Sequence, residues 1–227
     1  MGEVEIDMYN GTIIVYSHII TYGNAADERI TESIRAEIET MWNEARGMII
    51  IQGNPCVVSF SITAALNPAI EIIEIYSNTN PCNNYFRIEE YAHGNISFVD
   101  NIGCNSGYFK LENLYPGSTT AAHEYGHTLG LDHPANLDYR GKGIPRIMYP
   151  RGTLVDPPFQ YDSSKPAGVT GGTMHPMYRK VFAEDVAALK LEKLRYKNRK
   201  SFIGEFTNVF HYNHEEAGFT DMIPPTA

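Results

Sequence analysis

His123-Glu124-Tyr125-Gly126-His127-Thr128-Leu129-Gly130-Leu131-Asp132-His133 joins an H-E-x-x-H core to a third histidine through G-x-x-H. On an α-helix, positions four apart lie about 40° apart around the axis, so His123 and His127 face a common point. Gly130 lets the helix stop, because glycine enters the left-handed conformation without steric cost. The chain then turns and brings His133 back. Three converging imidazoles suit zinc, which takes nitrogen ligands at about 2.0–2.1 Å and, in catalytic sites, leaves a fourth place to water. Glu124 projects towards that open place, where its carboxylate can accept a proton from the bound water and pass it to a leaving amine. Just upstream, Ser118-Thr119-Thr120-Ala121-Ala122 offers capping hydroxyls and small, helix-compatible residues.

This pattern resembles that of the metzincin zinc endopeptidases. Met148-Tyr149-Pro150 is similar to the Met-turn of the matrixin branch, and Pro134, directly after the third histidine, resembles the serralysin branch. The likeness runs over most of residues 11–196. It implies an α+β fold of metzincin type: a twisted mixed sheet with an edge strand over the cleft, an active-site helix, a Met-turn and a C-terminal helix. It also implies a zinc-dependent endopeptidase with one catalytic Zn2+ on His123, His127 and His133 and with Glu124 as general base and acid. Calcium dependence is not readable from these residues. Met148 is expected to form an apolar floor beneath the metal, with Met174 in Gly172-Thr173-Met174-His175-Pro176 as its rival; Met148 needs the shorter loop. Astacins and serralysins place a metal-binding tyrosine two residues after that methionine, where this chain has Pro150, so Tyr149 is not expected on the metal. The resemblance assigns Tyr149 and Pro150 to the wall that receives the residue following the cleaved bond; ordinary packing is the other reading of Tyr149. Asp185 is expected to hydrogen-bond the Met-turn backbone, or simply to start its helix.

The chain of 227 residues is long enough for one large domain with a tail. Its 18 basic and 27 acidic residues leave a net charge of −9, which argues against a nucleic-acid surface. No apolar run is long enough to span a membrane. Met1-Gly2-Glu3-Val4-Glu5 lacks a basic-then-apolar leader; for an enzyme expected to be secreted, this reads as a mature chain. Cys56, Cys82 and Cys104 lack metal-site spacing, and in an oxidising compartment one disulfide and one thiol follow by parity, with Cys82–Cys104 the first choice and three buried thiols the alternative.

From the start, Thr12–Tyr22 reads as a strand and residues 27–47 as a helix capped by Asp27 and ended by Gly47. Residues 48–51, 57–62 and 70–76 read as strands, 77–95 as a long surface loop, and 96–99 and 107–111 as short strands. The run containing Ile96, Ser97 and Phe98 is expected at the edge of the sheet, where an extended protein or peptide substrate can add itself as a further strand. After an irregular stretch to Pro176, residues 183–197 read as the last helix. The catalytic domain is thus expected over 1–200, divided near residue 133, with 201–227 an extension. His211 and His214 in that extension lack further ligands, so no metal is expected there; His93-Gly94-Asn95 resembles a matrixin structural-zinc loop but has Asn95 where an acidic partner is needed. In one variation on the fold, the enzymatic subunit of AB5-type toxins, such a tail contacts partner subunits, which gives a second reading of the chain.

Overall fold

A computed structural model describes residues 1–214 of the chain. In chain order the elements are β1 (Gly2–Asp7), β2 (Thr12–Tyr22), α1 (Glu28–Glu44), β3 (Met48–Ile51), β4 (Asn54–Leu66), α2 (Ile72–Tyr76), β5 (Asn83–Glu89), β6 (Phe98–Val99), β7 (Ser106–Lys110), α3 (Thr120–Thr128), α4 (Ala183–Ala188) and β8 (Lys200–Ile203). The fold is α+β. One mixed sheet runs β3-β4-β2-β5-β7-β6, with β1 added beside β2 and β8 beside β1. β2 is its axis. It pairs in parallel with β4 on one side, while its other side is shared, Thr12–Tyr16 with β1 and His18–Tyr22 with β5.

Period-two alternation sends Ile13, Val15 and Ile19 of β2 to the buried face. α1 covers that face with Ile30, Ile34, Ile38 and Trp42, spaced for one helical stripe. Each such side chain contributes roughly 1.5–3 kcal/mol on burial. Asp27 caps α1 by accepting from Ile30 N at 2.6 Å. Trp42 Nε1 donates to Ala122 O at 3.1 Å, and its ring meets Tyr125 edge-on at 5.8 Å. The indole thereby fixes the depth at which α3 sits.

Several expectations need correction. Residues 70–76 are not a strand: Glu74 Oε1 accepts from Glu71 N at 2.8 Å, closing a helix start that the spacing of the isoleucines allows as readily as alternation. The loop expected over 77–95 contains β5, a central strand. Its polar residues hid it, yet they are satisfied internally: buried Asn84 donates to Met1 O and Cys82 O, and Arg87 pairs with Glu89 at 2.5 Å. β1 has no counterpart among the expected strands. Gly47 does not end α1; Arg46 takes the left-handed turn (φ 47°), and a Cβ at Gly47 would collide with Val186. The last helix stops at Ala188 rather than 197, with Lys190 left-handed (φ 53°), because Leu189 and Leu191 both enter the core and an unbroken helix would set them about 200° apart. The Cys82–Cys104 disulfide is not formed. All three cysteines are free thiols, with Cys82 turned to the Glu3 backbone and Cys104 to Thr207.

The start of the expected extension belongs to the sheet, as β8. Beyond it, residues 204–214 lie along the body: Glu205 N donates to Gly103 O at 2.7 Å, Phe210 stacks on Tyr22 at 5.4 Å, and the His214 ring stacks on Tyr108 at 3.9 Å. Residues 215–227 of that extension lie outside the described residues.

Candidate active site

α3 is short and buried along its whole length. Its end follows the Schellman pattern, with Leu131 N donating to Gly126 O and Gly130 N to His127 O, both at 3.0 Å, and with Gly130 at φ 91°. The expected glycine stop is therefore present, and it reverses the chain towards His133. The expected capping hydroxyl comes from Ser118, whose Oγ accepts from Thr120 N at 3.2 Å. Thr119 is left-handed (φ 58°) and caps nothing with its hydroxyl, which donates instead to Pro176 O at 2.8 Å. The helix N–H groups are met from a distance: Glu37 Oε1 on α1 accepts from Ala122 N at 3.1 Å.

The three histidines converge. One ring nitrogen from each lies within 4.8 Å of the others. His133 Nε2 is 3.0 Å from His123 Nε2 and 3.1 Å from His127 Nε2. The far nitrogens are committed, because His123 Nδ1 donates to Ile147 O at 2.6 Å and His127 Nδ1 to Leu131 O at 2.7 Å. With those protons on Nδ1, both helix histidines present bare Nε2 lone pairs to the same point as His133, and a single proton can bridge only two of the three nitrogens. One cation satisfies them all. Tetrahedral coordination at about 2.05 Å separates ligand nitrogens by about 3.3 Å, so the donor set fits zinc. Burial also holds these imidazoles in the neutral form that binds metal: His123 is well below its usual pKa and His127 is lowered to about 4.

A cleft of about 290 Å³ opens beside them, lined by Glu124, Thr120, Ile96, Pro150, Arg151 and Arg179, among others. Glu124 is only 7 % exposed, and burial raises its carboxyl to about 8, with Arg179 and the Val99 backbone pulling the other way. A cation among the histidines adds to that pull. Ile96 and Ser97, just before β6, line the cleft, and among the described residues no strand pairs with the outer edge of β6. A larger hollow of about 460 Å³ lies between α1 and residues 114–121, but the converging histidines do not line it.

The other expected residues fall as follows. Met148 packs under α3 so closely that a Cβ at Gly126 would lie 2.4 Å from its sulfur, whereas Met174 belongs to a separate cluster with Tyr139, Tyr149 and Val155. Ser97, Ile96 and Pro150 line the cleft. Phe98 is not part of that lining; its ring stacks on Tyr108 at 6.0 Å and meets His211 edge-on at 5.8 Å. Tyr149 is buried against Tyr139, ring centroids 4.6 Å apart, so packing describes its side chain and its carbonyl accepts from Arg179. Asp185 does not reach the Met-turn backbone; it accepts from the Arg146 side chain and from Phe182 N, since its position three residues into α4 faces both. Sequence reasoning missed Glu37, Arg151 and Arg179. Glu37 gives no local signal, and Arg151 and Arg179 are two of four arginines in the irregular segment after the motif, the others being paired with Asp138 and Asp185.

No family model matches the sequence. Serralysin G of Dickeya chrysanthemi is 34% identical over 99 residues, which are 43% of this chain and 20% of that protein, so the matched stretch is a fifth of the relative's length. Among solved structures, the chain is similar to archaemetzincin from Methanopyrus kandleri at TM-score 0.40 and 12% identity, covering 78% of this chain and 95% of that one. It is similar to myroilysin at TM-score 0.30 and 15% identity, covering 64% of this chain and 60% of the other.

Proposed function

We propose that the chain is a zinc-dependent endopeptidase of metzincin type, with His123, His127 and His133 as the metal ligands and Glu124 as general base and acid. The observation that carries this reading is the convergence of three Nε2 atoms, with the other ring nitrogens of His123 and His127 tied to Ile147 O and Leu131 O and a buried carboxylate in the same cleft. Zinc held by these three residues would supply Lewis acidity and would make a water nucleophilic near neutral pH.

The chain's own residues do the rest. An extended peptide lies along residues 96–99, pairing with the free edge main chain to main chain. Glu124 takes the proton of the attacking water and returns it to the departing nitrogen; a carboxyl already raised by burial holds a proton readily between the two transfers. Ile147 O and Leu131 O keep the two helix imidazoles in one tautomer and one orientation, a role that typically accounts for 10–100-fold in metal affinity. Met148 closes the space beneath the histidines with apolar atoms.

Incubation with denatured casein, with and without a chelator, tests the reading. Cleavage that a chelator stops and added zinc restores is expected, and Glu124→Ala should abolish it while the metal stays bound. Cleavage unaffected by the chelator, or an active alanine variant, contradicts it.

A further inference from the structure

Arg35, Arg87, Arg140 and Arg146 each hold a carboxylate at 2.5–2.7 Å. The two arginines that line the cleft do not: among the described residues neither Arg151 nor Arg179 has a carboxylate within the 4.0 Å of an ion pair. Arg179 is 4 % exposed, and its contacts are neutral oxygens, with Nε donating to Thr119 Oγ1 at 2.9 Å and Nη1 to Tyr149 O at 3.3 Å. Arg151 follows Pro150 at the exposed rim and gives Nη2 to Asn113 Oδ1 at 2.7 Å. Glu37 and Glu124 are the acids whose fields reach Arg179, but Glu37 already receives the α3 N–H groups and Glu124 serves the reaction. A buried guanidinium without a carboxylate partner costs several kcal/mol. In a chain of net charge −9, this buried guanidinium and the exposed one of Arg151, facing one cleft, form a local positive site with donors to spare.

The location decides what meets them. Glu124 must reach the departing nitrogen, and Thr120, one turn earlier on the same helix, lines the same cleft as the two arginines. The residue that owns that nitrogen therefore extends its side chain towards the two arginines. Resting on the endopeptidase reading, we infer that this cleft selects a carboxylate on the residue immediately after the scissile bond, gripped by Arg151 at the rim and Arg179 at the floor. An aspartate or glutamate side chain supplies that group, and so does the free α-carboxylate of a chain end.

Five peptides, identical but for the residue after the bond, separate these cases: Glu, Gln, Leu and Lys with amidated ends, and Leu with its own carboxylate free. On the zinc-loaded full chain, Glu should exceed Gln in kcat/KM by about tenfold or more, as for a charge-assisted bond to guanidinium. Arg151→Gln should bring the ratio to within about threefold, and Arg151→Glu should move preference towards Lys. Arg151 is the residue to vary because it is exposed, so the variants retain the fold. Preference for the free-carboxylate Leu peptide over internal Glu would mean release of a terminal residue, and so overturns the inferred side-chain selectivity together with the endopeptidase reading. Equal use of Glu and Gln by the wild type, or a ratio indifferent to Arg151, overturns the inference while leaving the peptidase intact. Cleavage of none of the five removes the endopeptidase reading, and the selectivity with it.

Discussion

The two walls of the cleft are built by different means. On one side the sheet and α3 place His123, His127 and Glu124 through repeating backbone bonds, each residue fixed by its neighbours along the element. On the other, residues 134–182 contain no long element and are joined mainly by isolated bridges such as Asp138 with Leu154 and Arg146 with Lys180. Side chains hold that wall in place. Arg179 ties the start of α3 to Tyr149 O, Arg146 ties the approach to Met148 onto Asp185, and Arg151 reaches Asn113. Regular structure thus sets where the two helix ligands and Glu124 are, and the irregular wall orients His123 through Ile147 O and sets what the cleft admits.

The largest effect is expected on the regular side. His123→Ala removes one of three ligands, and zinc affinity should fall by about a thousandfold or more, beyond the 10–100-fold typical of outer partners. Competition with a metal indicator measures it; unchanged affinity would show that the helix does not provide the ligand.

Glu124 tests how rigid that wall is. Burial raises its carboxyl from 4.5 to about 8, so the folded chain favours the neutral acid. Stability from this group is complete below about pH 4.5 and is lost as pH rises through about 8. In metal-free protein, Glu124→Gln should therefore exceed wild type by about 2–4 kcal/mol at pH 8 and match it near pH 4.5. Equal denaturant midpoints at pH 8 would mean that the wall relaxes to hydrate the carboxylate.

Across the cleft, Asp185→Asn weakens the pair that anchors Arg146, whose partner carboxylate is buried and whose own side chain is a third exposed. A loss of about 2 kcal/mol is expected, below the range for fully buried pairs, together with weaker zinc binding as the Ile147 carbonyl loosens. Loss of stability with zinc affinity unchanged would separate the two walls and contradict their coupling.

The same contrast explains what the sequence reveals. The histidine motif, the Gly130 stop, the Asp27 cap and the β2 alternation are legible because each depends on residues a few positions apart. β5 is obscured because Asn84, Arg87 and Glu89 look like loop residues until partners distant in the chain, Met1 O, His211 O and Asn24 N respectively, satisfy them. Glu37 capping a helix 85 residues away, and Arg179 bonded to Thr119, 60 residues back, leave no local trace. α4 was overextended because helical spacing continues in the sequence after the core has claimed both Leu189 and Leu191.

A crystal of the zinc-loaded chain, measured above and below the zinc absorption edge, addresses the central claim most directly. The account predicts one anomalous peak bounded by the Nε2 atoms of His123, His127 and His133, with Glu124 facing it across the cleft. A peak at any other place, or three imidazoles that stay empty in zinc, would contradict it.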